Sequence, residues 1–349
     1  MQNVNIKNMT LDYLSHAIIE LTTKCNVHCM HCYNWWKQDG EPILHQDSYK
    51  KAFRLVDQII KTTTAERLTF TGGEPTISER FLELVLHAKL NRKKVTIITN
   101  GNGPTDTYRQ LCKLQTNLIE FSIHSLHADV HDKITRKTGS WQKAVENMKE
   151  VLNQGVPAIP VIVITKLNHD HAVNTVRFFY DMGIRSAMVN RYNLGGEGLN
   201  HPHSLSANLS ELRTAFGRVN EFAGTSGMRI VSGVCTPHCV LNPKDYPNIR
   251  FGSCSEDVYR RPLTFDIEGN LRLCNHSPVI AGNIFKQPLG EILSSQYIDE
   301  WSELDMPFCS QCLRLSQCRG GCRAASEQMG LSLRAEDPIV HELKTVPFA

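Results

Sequence analysis

Short apolar, β-branched runs alternate with amphipathic stretches from Ala17 to about Gly224. The runs predict strands at Ala17–Leu21, Arg67–Thr71, Val95–Thr99, Leu118–Ile123, Ile159–Thr165 and Ser186–Asn190. Helical periodicity predicts helices near Ser48–Thr62, Ser78–Lys89, Thr105–Leu114, Trp141–Asn153, Asp170–Met182 and Ser206–Phe222. Strand–helix units joined by short loops build a parallel sheet with helices outside it. Six units fall short of the eight that close a full barrel, so the expected fold is α/β, an open, partial (β/α)6 TIM-like barrel. Chemistry in such a sheet gathers where the strands end, at their carboxyl edge.

Beyond Gly224 the periodicity breaks up. Pro237, Pro243, Pro247, Gly252, Pro262, Gly269 and Pro278 cut the chain into short pieces, with a hairpin expected at Leu263–Cys274. So turn-rich a segment cannot build a large apolar core, and metal–thiolate bonds would have to supply the missing stability. At 349 residues, 41% hydrophobic and 21% charged, the chain has ample apolar mass for a core elsewhere. No apolar run reaches the roughly 18 residues of a membrane span. Residues 1–15 lack the charged-then-apolar layout of an export signal. The net charge of +3 is too small to argue for nucleic acid. A soluble, cytoplasmic, globular protein is expected, with neither a nucleic-acid nor a membrane partner.

Twelve cysteines change that ordinary picture. In a cytosolic chain of this length they point to metal or redox chemistry, not to disulfides. Cys25, Cys29 and Cys32 lie within eight residues, eight more fall between Cys235 and Cys322, and Cys112 stands alone. The first three, in Cys25-Asn-Val-His-Cys29-Met-His-Cys32, follow the first strand. Three thiolates can hold a [4Fe–4S] cube with one iron left open. A zinc site closed by His28 or His31 is the alternative, because structural zinc needs four ligands.

Cys-X3-Cys-X2-Cys at this place resembles the signature of the radical S-adenosylmethionine (SAM) enzymes, with His31 at the family's usually aromatic position. Thr71-Gly72-Gly73-Glu74-Pro75, after the second strand, resembles the family's motif for the SAM amino group. Two glycines let backbone approach a ligand closely, and Glu74 can pair with an ammonium. Thr99-Asn100-Gly101 ends the third strand as it often does in this family. Ser122 matches a serine that contacts SAM in relatives, while His124 stands where an aspartate is usual. Arg136 resembles the arginine near the SAM carboxylate, at slightly longer spacing; Ser122 and Arg136 have surface positions as their alternative reading.

Cys309-X2-Cys312-X5-Cys318-X3-Cys322, preceded by Cys254-X14-Gly269-X4-Cys274, resembles the SPASM module, which carries two auxiliary iron–sulfur clusters. The resemblance divides the chain into a barrel over 15–225 and a SPASM module over 230–349. It departs from the pattern at Val340, in Asp337-Pro338-Ile339-Val340, where a seventh cysteine is usual. Family analogy places Cys254, Cys274, Cys322 and one of Cys235 or Cys239 on the first auxiliary cluster. Cys309, Cys312 and Cys318 belong to the second, whose fourth ligand is left open among the spare upstream cysteine, Asp337 and His341. A zinc ribbon is the alternative for Cys309–Cys322.

The resemblance implies an enzyme that splits SAM reductively to a 5′-deoxyadenosyl radical and abstracts hydrogen from a substrate carbon. The expected substrate is a ribosomally made peptide, oxidised or crosslinked. The expected electron donor is a flavodoxin- or ferredoxin-like protein. The signature starts at Cys25, which leaves no room for the leader-recognition domain of many peptide maturases, so a separate recognition protein is expected to present the peptide. The competing reading is an epimerase or dehydrogenase of a sugar, an aminoglycoside or a peptide, with Cys235, Cys239 or Cys112 as hydrogen donor. A non-catalytic electron carrier or zinc protein is the third, and a carrier has no use for a SAM motif. Trp35-Trp36 either face substrate or pack at the barrel mouth. His201, His203, Arg92-Lys93-Lys94 and Gly195–Gly198 read as solvated loops, the last at the rim of the site.

Overall fold

A computed structural model describes residues 11–37, 48–255, 257–303 and 306–341. Its strands form one sheet in the order β11 (Gly282–Asn283), β10 (Asn270–Arg272), β9 (Leu263–Asp266), β1 (His16–Glu20), β2 (Arg67–Thr71), β3 (Lys94–Thr99), β4 (Leu118–Ser122), β5 (Ala158–Ile164), β6 (Ser186–Arg191), β7 (Arg229–Ser232) and β8 (Ile249–Phe251). The six expected strands are β1 (His16–Glu20), β2 (Arg67–Thr71), β3 (Lys94–Thr99), β4 (Leu118–Ser122), β5 (Ala158–Ile164) and β6 (Ser186–Arg191). All six run parallel. The helices that cross between them include α1 (Tyr49–Thr62), α2 (Phe81–Leu90), α3 (Thr105–Lys113), α4 (Ala128–Thr135), α5 (Ser140–Asn153) and α6 (Ala172–Asp181). After β6 come the single turn α7 (Pro202–Leu205) and the long α8 (Leu209–Ser226).

Local chemistry explains these elements. Helix α1 buries Ala52, Leu55, Val56 and Ile59, one face at helical spacing, and Ser48 caps its start. Helix α8 opens on a capping box in which Asn208 and Glu211 bond each other's backbone N–H, and stops at Gly227 in the left-handed region. The strands send Ile19, Phe70, Ile97, Phe121, Ile162 and Val189 into the core, all fully buried.

The sheet is longer than the sequence pattern predicts. Strands β7 (Arg229–Ser232) and β8 (Ile249–Phe251) add in parallel beyond β6. Each is too short to leave a period in the sequence. At the other end the expected hairpin, β9 (Leu263–Asp266) and β10 (Asn270–Arg272), places β9 parallel to β1, with β11 (Gly282–Asn283) outermost. The hairpin thereby covers the edge that β1 would otherwise expose. A buried ion pair between Glu20 of β1 and Arg272 of β10 ties the two together. Among the described residues no helix is long and apolar enough to cross a membrane.

Candidate active site

The site is assembled where β1, β2 and β3 end. The loop after β1 and the loop after β2 zip together: the N–H groups of Gly73 and Glu74 donate to the carbonyls of Thr22 (2.7 Å) and Lys24 (2.8 Å). Only glycine allows this approach. A Cβ on Gly72 would stand 2.4 Å from the Thr22 carbonyl oxygen, and one on Gly73 2.0 Å from that of Lys24.

Glu74 is fully buried. Its carboxylate accepts from Thr76 N (3.1 Å), Thr76 Oγ1 (2.6 Å), Thr99 Oγ1 (2.7 Å) and Asn100 N (2.7 Å). Burial pushes its pKa up, and these hydrogen bonds hold it back. Four donors from the chain itself thus converge on the Glu74 carboxylate. Glu74 fastens the ends of β2 and β3, and Pro75 begins the short turn that carries Thr76. Asn100, held by Glu74, turns its side-chain amide to Asn26 Oδ1 (2.8 Å) and Cys25 Sγ (3.6 Å). Glu74 thus reaches the first thiol through one intermediary.

Cys25 and Cys29 line a cavity of about 490 Å³, with His28, Lys37, Arg136 and Glu197 on its walls. Thr23 lines it too, and its buried hydroxyl has no partner among the described residues. Burial raises the Cys29 thiol, and the neighbouring Cys25 and Cys32 raise it further. Among the described residues no three His, Cys, Asp or Glu side chains close on a single ion. Cys25 and Cys29 border this space, and three cysteine thiolates are the donor set that a [4Fe–4S] cube takes. Lys37, five residues beyond Cys32, had no sequence signal. The one-turn helix Trp35–Lys37 brings its ammonium near all three thiols; burial raises the Cys25 and Cys29 thiols, and the Lys37 charge opposes that rise.

Arg136 sits at the left-handed end of α4 and pairs with Glu197 at 2.9 Å, touching His201 as well. Burial would raise the Glu197 carboxyl, but hydrogen bonds from His201, Asn200 and Arg136 hold it below the usual range. The Gly195–Gly198 segment and His201 are therefore rim structure and not a solvated loop. A Cβ on Gly196 would meet the carbonyl oxygens of Asn34 at 2.4 Å and Cys32 at 2.6 Å.

His31 turns away from the cavity and packs edge-on against His124, ring centroids 4.3 Å apart. His124 lies beside His131. The backbone N–H of Val163 donates to Nδ1 of His124, and that of His124 to Nδ1 of His131, both at 3.2 Å. Nε2 of each ring therefore carries the proton. Those two atoms and Nδ1 of His31 are buried without a partner among the described residues. Ser122, half-buried at the end of β4, is paired in register with Val161 of β5. Cys112 packs into the helix–sheet core from α3.

The C-terminal thiols gather in two groups. Cys235 is hydrogen-bonded to Cys254 and feels Cys322 and Cys274. Arg261 approaches Cys254 Sγ at 3.9 Å, and Asn193 donates to Cys322 Sγ at 3.2 Å. Cys239, Cys309, Cys312 and Cys318 instead line one cavity of about 990 Å³. The first of these regions is bolted to the barrel cysteines. Tyr33 stacks on His276 with centroids 3.8 Å apart, and Asn275 donates to its hydroxyl at 2.8 Å. Gln328, on the short helix Arg323–Gln328, donates to the carbonyls of Tyr33 (2.7 Å) and His276 (2.6 Å) and accepts from Gly196 N (2.6 Å). No sequence pattern singled out Gln328. Trp35 and Trp36 face Glu20 and Asp266 and lie beneath the Arg272 guanidinium, as mouth packing.

Residues 19–179 match the model of the Radical SAM superfamily. The chain carries a radical SAM domain. It is 25% identical over 328 residues to a mycofactocin maturase, MftC, of Mycolicibacterium smegmatis, covering 91% of this chain and 80% of the relative. In fold it resembles SuiB of Streptococcus suis bound to S-adenosylmethionine, with a TM-score of 0.69 and 16% identity over 94% of this chain and 77% of the other. It also resembles anSMEcpe with bound AdoMet, at TM-score 0.73 and 15% identity over 95% of each chain. Radical SAM enzymes use a [4Fe–4S] cluster and SAM. The Cys25–Cys32 loop and the Gly72–Pro75 loop both fall inside the matched span.

Proposed function

We propose that this radical SAM enzyme oxidises or crosslinks a ribosomally made peptide. The observation that carries the reading is a thiol-lined cavity joined, through Tyr33, His276 and Gln328, to the segments that carry Cys274 and Cys322. A relative over nearly the whole chain is named a maturase, and SuiB has been solved with its precursor peptide SuiA. Cys25, Cys29 and Cys32 would hold an iron–sulfur cube, which would supply the one-electron chemistry needed to split SAM into methionine and a radical able to take hydrogen from carbon.

The residues of the chain do the rest. The glycine loop braces the Thr22–Lys24 backbone at the cavity, and Asn100 offers an N–H to the Cys25 sulfur, a kind of contact that tunes cluster potential. Lys37 supplies positive charge beside three thiolates. Arg136, paired with Glu197, places a further cation in the cavity wall. We assign residues 15–225 to SAM chemistry and 230–349 to auxiliary clusters, with a flavodoxin- or ferredoxin-like electron donor.

Anaerobically reconstituted enzyme with dithionite and SAM is expected to form 5′-deoxyadenosine, and Cys29→Ala to form none above background. A wild-type preparation with a full iron complement and no 5′-deoxyadenosine would sink the reading.

A further inference from the structure

We propose that Cys239 is the fourth ligand of the second auxiliary cluster and takes the place of the cysteine missing at Val340. The proposal rests on the reading of the C-terminal thiols as cluster ligands. Its basis is placement: Cys239, Cys309, Cys312, Cys318 and Val340 line the same cavity. Val340 presents its apolar side chain to the space where a thiol would complete the set, and Cys239 reaches that space from another part of the chain.

The loop Cys235-Thr-Pro-His-Cys239 is built to divide its two thiols between the two groups. Arg191 holds the carbonyl of Cys235 at 3.0 Å, on the side of Cys254, Cys274 and Cys322. Pro237 then wedges against Gly321, where φ is +90° and a Cβ would lie 2.5 Å from Pro237 Cγ. The next N–H, that of His238, donates to Cys318 Sγ at 3.2 Å. Arg213 of α8 fixes the far end by donating to the carbonyls of Cys239 (2.9 Å) and Val240 (3.0 Å). One end of the loop therefore belongs to each thiol group.

The other two candidates are occupied. Asp337 is fully buried, paired with Arg191, and accepts from the N–H of Cys322 (2.7 Å) and of Ile339 (3.2 Å). His341 turns to Glu336 at 3.2 Å. On ligation Cys239 would give up its proton to solvent and no electron would move. With Cys235 in one group and Cys239 in the other, neither is left as a hydrogen donor, and Cys112 lies in the helix layer. That disfavours epimerisation by a protein thiol.

The test is iron and sulfide per chain after anaerobic reconstitution, with low-temperature EPR of the reduced protein. The wild type is expected to hold about 12 irons and Cys239→Ala about 8. Pairing decides membership: Cys239→Ala with Cys309→Ala should lose no more than either alone, about 8 remaining, whereas Cys239→Ala with Cys254→Ala should fall to about 4. The reverse pattern, or a Cys239→Ala protein with the wild-type iron count and EPR spectrum, overturns the proposal alone. A wild type with about four irons overturns the cluster reading beneath it. If Cys239→Ala fails to fold, Cys239→Ala with Val340→Cys decides, because it returns a thiol to the same cavity wall: a folded chain with about 12 irons supports the assignment, and one with about 8 overturns it.

Discussion

A carboxylate with four donors from its own chain is first a structural part, and Glu74 is such a residue. Glu74→Ala strands those donors in the interior at about 1–3 kcal/mol for each left unsatisfied. The expected outcome is a lower melting temperature of the apoprotein, by several degrees in calorimetry. A residue that served only to hold SAM would leave the apoprotein unchanged and weaken SAM binding alone. His16 makes a pH prediction. Burial, helped by the charge of Arg67, lowers its pKa to about 4, and its ring is bonded to Thr69 Oγ1 at 2.7 Å. The fold thus prefers neutral His16, and the unfolded chain binds more protons between the ordinary histidine pKa and about 4. Stability from this residue is present above that window and lost as pH falls through it. Going from pH 7 to 5, the wild type should lose on the order of 1–2 kcal/mol more than His16→Gln in denaturant unfolding.

Among elements, the loops matter more than the strands they cap. Gln328 joins the cysteine loop, the end of the β9–β10 hairpin and the Gly196 rim by three hydrogen bonds, at 4% exposure. Gln328→Ala should cost about 2–4 kcal/mol in unfolding and raise hydrogen exchange in all three loops together. Protection lost in one loop only would mean the joint is not cooperative. Six strands and six helices were legible from period alone, with strand ends within two residues of those observed. Strands β7 and β8 were not, because runs of four and three residues carry no measurable period. Helix α4 was missed for a related reason: its eight residues, His131 among them, are too polar to show an apolar face.

For the molecule as a whole, the hairpin and the barrel are one sheet, held by Glu20 and Arg272, both buried. Burial raises the Glu20 pKa, and the Arg272 guanidinium opposes that rise. Breaking the pair from one side should be costly, about 3–5 kcal/mol for Arg272→Met, because a buried carboxylate is left uncompensated. Glu20→Gln with Arg272→Met should recover most of the loss in denaturant unfolding. A double variant no better than the single one would place the cost in packing, not charge. The amino-acid sequence by itself determined the alternating α/β order, the cysteine triplet after β1 and the Gly-Gly-Glu-Pro turn after β2. Each of these depends on spacing over a few residues, and short-range geometry follows directly from spacing. Only the tertiary structure decided that Glu74 faces inward, that Lys37 stands over the thiols, and that Gln328 bolts three loops together. Only it sent Cys235 to the group of Cys254, Cys274 and Cys322, and Cys239 to that of Cys309, Cys312 and Cys318. These outcomes depend on which distant backbone a side chain meets, and that is settled by sheet order and by close approaches at Gly73, Gly196 and Gly321, not by neighbours in the chain.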